Sequence, residues 1–293
     1  MFTKKIVSFF VITLFAFIYG ASESNAQNVN AIITVKNIAV DATSQVVDTG
    51  IKVMPGDKIE ISATGNTNHG ANARWDLKGD TSKKTYAGGN FVFKNAYPFA
   101  LVAWMGDTPK EKMDSYFQVS EKPDYSAQKG GNLFLAINDW GGAHYDNNKG
   151  GLTATVVLTR QYKIYADGTD ANAAWGNGLV GINQGDDLKI HAIGKIVYWQ
   201  GGDLRDPNGQ SWTRDTLLAP QIKGHSVIGK IGNGSPFLVG ETFSKDNVQA
   251  NSWLYLTVND EIKKSGSFTN NSGDLSFIVE VDRPSKAFKN PIN

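Results

Sequence analysis

The chain has 293 residues, and its 29 Lys and Arg against 28 Asp and Glu give a formal net charge of +1. This balance excludes the strongly basic surface by which nucleic-acid-binding domains attract their ligands. The lack of cysteine in the sequence excludes disulfides, thiolate metal sites and cysteine nucleophiles.

The N-terminus has the features of a secretory signal peptide. Lys4 and Lys5 precede a predominantly apolar run at 6–19, and a small-residue cleavage motif ends at Ala26. That run of 14 residues is shorter than the roughly 20 residues that span a bilayer as a helix. We therefore expect a signal peptide over 1–26, a secreted or periplasmic protein, and no membrane span.

The remaining chain contains two copies of one unit. Four blocks recur in the same order, and each holds short apolar segments bounded by glycine, asparagine and aspartate, which is typical of strands and tight turns. The matching blocks are 49–65 with 178–194, 100–106 with 226–232, 133–139 with 254–260, and 147–152 with 270–275.

Apolar residues alternate within these blocks, as strands require. Leu133, Leu135 and Ile137 share one face, with Phe134 and Ala136 on the other. The segments that begin at Leu152, Leu254 and Leu275 repeat the alternation. The pattern predicts an all-β protein with two tandem β-sandwich domains, at 27–159 and 160–293, and a boundary near Arg160.

A polar loop follows the same core strand in each copy. The first copy offers oxygen ligands from Asp139, Asn147 and Asn148, and the second offers them from Asp260 and the pair at 270–271. Carboxylate, amide and carbonyl oxygens are the ligands that calcium prefers. The same residues are also the usual turn formers, so a plain hairpin is the alternative to a metal site.

These motifs carry a resemblance to a known family. Each half resembles the LecA (PA-I) galactophilic lectins, which are small calcium-dependent β-sandwiches of the galactose-binding-like jelly-roll type. In the first half, the resemblance lies in Pro55-Gly56-Asp57, Gly65 with His69, Trp75 before Gly79-Asp80, Asn138-Asp139 and Asn147-Asn148-Lys149-Gly150. In the second half, it lies in Gln184-Gly185-Asp186, Gly194 with Tyr198, Gly202-Asp203, Asp206-Pro207-Asn208-Gly209, Lys230-Ile231-Gly232, Asn259-Asp260 and Asn270-Asn271-Ser272-Gly273.

The resemblance implies a calcium ion in each half. The implied metal ligands are His69 (carbonyl), Asp139, Ala143 (carbonyl), Asn147 and Asn148 in the first half, and Tyr198 (carbonyl), Asp260, Asn270 and Asn271 in the second. The longer second loop contains Lys263 and Lys264, and two ammonium groups near a cation are unfavourable. The first half is therefore the stronger candidate.

The resemblance also implies a sugar that the ion holds by two vicinal hydroxyls. The implied sugar contacts are Asp139 and Asn147 in the first half, and Asp260 and Asn270 in the second. Asp206 stands where the family has a histidine for an outer hydroxyl, so the sugar need not be galactose. From its position alone, Trp140 could stack on the sugar or simply cover the end of the sandwich.

We therefore expect an exported, non-enzymatic lectin that binds glycans or glycoconjugates, with its oligomeric state left open. Two alternatives remain at this point. One is a secreted hydrolase acting on glycans, for which Asp80, Asp107 and Asp114 supply carboxylates of unknown spacing. The other is a structural or adhesive module in which calcium only rigidifies loops.

Overall fold

The computed structural model is all-β, as the alternation of apolar residues predicts. It describes residues 28–70, 73–82, 91–110, 116–122, 124–163, 173–198, 201–262, 271–284 and 286–289. The predicted signal peptide, Lys263, Lys264 and Asn270 lie outside the described residues. Among the described helices, none has the length and apolar character needed to cross a membrane.

The described residues form eighteen strands and two short 3-10 turns, Gly142–Asn147 and Ala173–Trp175. The strands of the first half are β1 Asn28–Asp41, β2 Val47–Val53, β3 Lys58–His69, β4 Arg74–Trp75, β5 Leu101–Gly106, β6 Phe117–Gln118, β7 Asp124–Ser126, β8 Gly131–Ile137 and β9 Asn148–Lys163. Those of the second half are β10 Val180–Ile182, β11 Asp187–Ile193, β12 Ile196–Val197, β13 Val227–Ile231, β14 Phe237–Leu238, β15 Thr242–Lys245, β16 Ser252–Val258, β17 Ser272–Gly273 and β18 Ser276–Asp282.

The strands form one large sheet and three smaller ones. The large sheet has eight strands in the order β15-β11-β18-β1-β9-β3-β4, with β7 also paired to β3. Two four-stranded sheets have the orders β2-β8-β5-β6 and β10-β16-β13-β14, and β12 pairs with β17. The repeat is visible here, since each half contributes one four-stranded sheet built around its own central strand, β8 or β16.

The core lies between the large sheet and the two four-stranded sheets. Leu133, Leu135 and Ile137 of β8 enter this core, whereas Phe134 and Ala136 face a second, smaller cluster around Trp104. The predicted facing of β8 is therefore confirmed. Both halves supply residues to the main cluster, so the halves are packed together and not merely linked.

The large sheet runs through both halves. β1 lies between β9 of the first half, to which it is antiparallel, and β18 of the second half, to which it is parallel. The predicted division into two separate sandwich domains near Arg160 stays a prediction, because both halves share this sheet and the main core cluster.

Two buried arginines cross the boundary between the halves. Arg160, in β9, forms an ion pair with Asp57 at 2.8 Å and donates to the Leu179 carbonyl of the second half at 3.1 Å. Arg283, after β18, lies 3.7 Å from the Asp186 carboxylate and donates to the Thr49 carbonyl of the first half. Each guanidinium therefore has an acidic partner in its own half and a backbone partner in the other.

A close backbone contact between the halves predicts a destabilising substitution. A Cβ added at Gly181 would lie closer to the Gly50 carbonyl oxygen than van der Waals contact allows. Both atoms are fixed by the backbone, so neither can move aside alone. We expect Gly181→Ala to lower the free energy of unfolding by about 1–3 kcal/mol, the usual cost of overpacking, as measured by denaturant titration.

Gly141→Ala is the matched control for this substitution. Its added methyl would meet only a Val92 methyl at 3.9 Å, and its φ of −64° suits alanine. Equal stability of the two variants would show that the Gly50–Gly181 contact is not close-packed in solution.

Candidate functional site

A buried asparagine fixes the loop that builds the site of the first half. Asn138 follows β8 and is fully buried. Its amide nitrogen donates to the carbonyls of Phe93, Ala96 and Tyr97 at 3.0–3.2 Å, and its amide oxygen accepts the Phe93 N–H at 3.0 Å. One side chain thus satisfies four backbone groups of the loop that precedes β5. The loop is held over the end of β8, directly beside Asp139.

Asp139 is the centre of a hydrogen-bond cluster. The Trp140 backbone N–H donates to one carboxylate oxygen at 2.7 Å. The other oxygen lies 2.7 Å from the amide nitrogen of Asn148 and 3.1 Å from Nδ1 of His69. His69 ends β3 and Asn148 begins β9, and the two residues pair directly in the sheet. Two strand ends and the β8 loop therefore converge on one carboxylate.

A cleft of about 250 Å³ opens onto this carboxylate. Five of the residues singled out from the sequence line it together: His69, Asp139, Trp140, Asn147 and Asn148. Ala143 lies in the 3-10 turn that forms the adjoining loop. The structure therefore brings the predicted residues of the first half to one place, from three separate segments of the chain.

Three further lining residues were missed in the sequence: Phe91, Phe99 and His144. Phe99 has a φ of +62°, which is uncommon for a residue with a Cβ, and its N–H donates to the Asn138 carbonyl at 2.7 Å. Neither phenylalanine belongs to a repeated block, so no sequence signal marked them.

These rings form an aromatic wall, which we define as Phe91, Phe99 and Trp140. Phe91 meets Phe99 and Trp140 edge to face, with ring centroids 5.9 and 5.8 Å apart. Phe99 also stacks on the His69 ring at 4.2 Å. Trp140 keeps 36% of its surface exposed, so it offers a ring surface to a ligand.

Asp139 is ionised at neutral pH. Burial alone would raise the pKa of its carboxyl, but hydrogen bonds from His69, Asn148 and the Trp140 amide outweigh burial and hold the pKa below its ordinary value. Across the described ranges, no group of three or more His, Cys, Asp or Glu side chains lies close enough together to hold a metal ion. The donors present are one carboxylate and two amides, whose oxygen chemistry suits calcium.

The amide of Asn148 is held in one orientation. Its nitrogen donates both to Asp139 and to the Ala42 carbonyl, at 2.7 and 2.9 Å. Because both neighbours are acceptors, the amide nitrogen has to face them. The amide oxygen is therefore turned away from Asp139, as it has to be if it is to contribute a separate ligand.

Thr67, His69 and Asp139 form a chain that resembles a catalytic triad in its connections. Nε2 of His69 lies 2.9 Å from the Thr67 hydroxyl, and Nδ1 lies 3.1 Å from Asp139. Thr67, however, is fully buried and does not line the cleft. Its hydroxyl is out of reach of a substrate, so the chain positions the imidazole and does not present a nucleophile.

The second half repeats the same hydrogen bonds. Asp260 accepts the Glu261 backbone N–H at 2.7 Å and the amide nitrogen of Asn271 at 3.0 Å. Asn259, fully buried, donates to three loop carbonyls as Asn138 does. The amide oxygen of Asn271 is buried and finds no hydrogen-bond partner among the described residues. Asn270, also predicted as a ligand, lies outside them.

The histidine beside the carboxylate occupies a different position in each copy. In the first copy His69 stacks on Phe99, whereas in the second Tyr198 stacks on His225 at 4.0 Å. His225 takes the place of Phe99, since it has a φ of +58° and donates its N–H to the Asn259 carbonyl. Its Nε2 lies 4.0 Å from Asp260. Tyr198 thus contacts His225 through its ring and donates its hydroxyl to the His225 carbonyl at 2.6 Å, and its role as a carbonyl ligand stays a prediction.

The other lining positions differ in chemistry. Leu217 forms an isolated bridge with Glu261, as Phe91 does with Trp140, so Leu217 and Glu261 stand where the first copy has two aromatic rings. Glu261 accepts hydrogen bonds from Arg214 and Thr216 at 3.3 and 3.1 Å. The second copy therefore has a Glu261–Arg214 ion pair where the first copy has the ring of Trp140.

Asp206 lies in an exposed turn, and its carboxylate accepts the Asn208 N–H at 2.9 Å. The matching turn of the first half begins at Asp76 and ends at Gly79, a correspondence that the sequence alone does not give. Gly79 and Gly209 show this, because both have a φ near +70° and both lie tightly under the backbone that precedes β5 or β13. Asp206 thus corresponds to Asp76, and a role in sugar binding stays a prediction.

The exchange of histidine predicts a pH dependence. Burial, together with the positive charges of Arg205 and Arg214, lowers the pKa of His225 to about 4. Between about pH 6.5 and pH 4 the unfolded chain binds a proton that the folded His225 does not, so stability falls as the pH falls. We expect His225→Phe to remove up to roughly 3 kcal/mol of that loss, measured as the free energy of unfolding at pH 7 and pH 4.5.

Phenylalanine is the conservative choice at this position, because Phe99 adopts the same backbone conformation in the first half. Phe99→His is the reciprocal variant. Parallel pH profiles for His225→Phe and the wild type would show that another group carries the pH dependence.

The chain was also compared with known proteins. No family model matches it, and no curated protein matches it significantly.

Proposed function

We propose that the protein is a calcium-dependent carbohydrate-binding protein, and that the cleft of the first half is its principal site. One observation carries this proposal. Asp139, Asn147, Asn148 and His69 come from separate segments, yet they line one cleft together with an exposed tryptophan. A plain turn would need only local hydrogen bonds and would not bring strand ends and an aromatic ring to the same opening.

In this proposal Asp139, Asn147 and Asn148 hold calcium with backbone carbonyls of His69 and Ala143. When bound, the ion supplies a fixed positive charge to which two vicinal sugar hydroxyls can coordinate. The ionised Asp139 balances part of that charge, and its lowered pKa keeps it available at neutral pH. Asn147, which is exposed at the mouth of the cleft, donates to or accepts from the same hydroxyls.

We propose the second half as a further calcium site, with Asp260, Asn271, Asn270 and the Tyr198 carbonyl as ligands. The buried, unpartnered amide oxygen of Asn271 supports a cation there. Glu261 and Arg214 replace the aromatic wall, however, and they leave less apolar surface for a sugar. The first half is therefore the site that the experiments address.

We propose no enzymatic activity for the protein. If the signal peptide is cleaved as predicted, the glycans that the protein binds lie outside the cell. The hydrolase alternative called for carboxylates at Asp80, Asp107 and Asp114; Asp80 and Asp107 do not line this cleft, and Asp114 lies outside the described residues. The buried position of Thr67 also argues against a triad-type nucleophile there. A purely structural role for calcium would leave the exposed ring of Trp140 unexplained.

Calcium is expected to raise the melting temperature of the full chain. A ligand at a hundredfold excess over its Kd stabilises the native state by about 2.7 kcal/mol, and extracellular calcium modules often have a Kd of about 10⁻⁴–10⁻³ M. Thermal unfolding is therefore measured with chelator and with at least 10 mM calcium, or about ten times the weak end of that range. Asp139→Asn should remove most of the shift.

Two variants keep this test informative. Asn147→Ala changes an exposed side chain, so it should fold normally and still reduce the shift. Asp260→Asn makes the matched change in the second half and should leave most of the shift intact. A wild-type melting temperature that calcium does not move would contradict the proposed metal site.

Sugar binding is expected to depend on both calcium and the cleft. Isothermal titration with methyl galactosides and other vicinal diols should give binding that chelator abolishes. Asn147→Ala should weaken it roughly tenfold, because removing one partner of a hydrogen bond to a charged or buried group costs about 1–3 kcal/mol. Trp140→Ala should weaken it only if the ring stacks on the sugar.

Two other results would redirect the assignment. Sugar binding that survives both chelator and Asp139→Asn would place the site elsewhere. Calcium binding without any sugar would support a structural role for the ion.

A further inference from the structure

We propose that the cleft of the first half selects sugars that have an apolar edge beside the vicinal diol, and that it binds 6-deoxyhexoses more tightly than the corresponding hexoses. This inference rests on the proposed function, and it adds a class of ligand that the calcium ligands alone do not specify. The observation behind it is the uneven distribution of polar and apolar groups around the cleft.

The polar groups of the cleft lie together. Asp139, Asn147 and Asn148 supply the carboxylate and the amides, and they belong to the loop that follows β8 and to the start of β9. The aromatic wall of Phe91, Phe99 and Trp140 supplies most of the remaining lining. A ligand in this cleft thus meets a compact group of polar atoms and, next to it, the carbon surface of three contacting rings.

His69 contributes ring surface to the cleft and no hydrogen-bonding group for a ligand. Both of its ring nitrogens are engaged, one with Asp139 at 3.1 Å and the other with Thr67 at 2.9 Å. Its side chain is 2% exposed, and its ring face is stacked on Phe99. It therefore has no ring N–H left to offer a sugar hydroxyl. His144, exposed and edge-on to Trp140 at 5.2 Å, is the remaining lining residue with a polar ring.

The aromatic wall is not imposed by the fold. The second half forms the same backbone hydrogen bonds with Leu217, His225 and Glu261 at the three wall positions. The scaffold thus tolerates an aliphatic, an imidazole and an acidic side chain there. The rings of the first half therefore contribute to what the cleft accepts and not to how the loop folds.

A methyl group suits such a wall better than a hydroxymethyl group. A hydroxyl that is buried against carbon surface without a partner loses its hydrogen bonds to water, whereas a methyl group gains from burial. The 6-position of a hexopyranose is the substituent that differs in this way between a hexose and its 6-deoxy analogue. We expect the 6-deoxy analogue to bind roughly five- to fiftyfold more tightly.

The experiment uses the full chain with calcium and three matched pairs of methyl glycosides. Each pair differs only in the 6-hydroxyl: D-galactoside and D-fucoside, L-galactoside and L-fucoside, and L-mannoside and L-rhamnoside. Isothermal titration gives the ratio of the two Kd values within each pair. Using three pairs removes the dependence on ring configuration, which the cleft lining does not fix.

The variants take their residues from the second half. Trp140→Glu, and Trp140→Glu with Phe91→Leu, replace the aromatic wall with side chains that the same scaffold already holds at Glu261 and Leu217. Both should bring the Kd ratio close to one. Calcium-induced stabilisation of each variant is measured alongside, as evidence that the variant is folded and that its metal site is intact.

The outcomes separate this inference from the proposed function. A 6-deoxy preference of fivefold or more in any pair that binds, lost in the variants, supports the inference. A preference below fivefold in every pair that binds, equal binding and a tighter hexose included, overturns the inference and leaves calcium-dependent sugar binding standing. A preference that persists in both variants also overturns it, since the wall would not be its cause. Binding of none of the six glycosides overturns both.

Discussion

Burying the loop before β5 requires that its backbone groups find partners, and Asn138 meets that requirement. A buried carbonyl or N–H without a partner is costly, and four such groups of the loop are bonded to this one amide. The position of Phe99, and with it the wall of the cleft, depends on that arrangement. Asn259 does the same in the second half, which explains why the Asn-Asp pair occurs twice although only the aspartate faces the site.

The two halves show which features around the carboxylate agree and which differ. Asp139 and Asp260 each accept one main-chain N–H and one asparagine amide. The matching donor–acceptor distances agree to within 0.3 Å. The rings and charges around them do not agree. In the first copy the imidazole of the stacked pair is His69, against Phe99. In the second copy it is His225, against Tyr198. The scaffold therefore fixes the carboxylate and its amide, and the lining can vary around them.

Much of this could be predicted from the sequence, for identifiable reasons. The alternation in β8 predicts which side of the strand Leu133 and Phe134 face, because strand geometry leaves two choices. Asp139, Asn147 and Asn148 were recognised because they end or begin core strands in both copies. Two of the three wall residues could not be predicted, because Phe99 reaches the cleft through its N–H bond to the Asn138 carbonyl and Phe91 reaches it through its bridge to Trp140. The side-chain contact of His69 with Asp139 was also missed, because spacing along a chain does not say which way a ring turns.

The parallel pairing of β1 with β18 affects how the chain folds. Lys36 and Glu280 bond across it although 244 positions separate them in sequence. The first strand can pair with β9 early, but its second edge stays open until nearly the whole chain is present. Contacts of such long range slow folding, and an open strand edge invites association in the meantime. Completing the large sheet is therefore a late step. A chain that ended before β18 would expose the unpaired edge of β1 at the centre of its largest sheet.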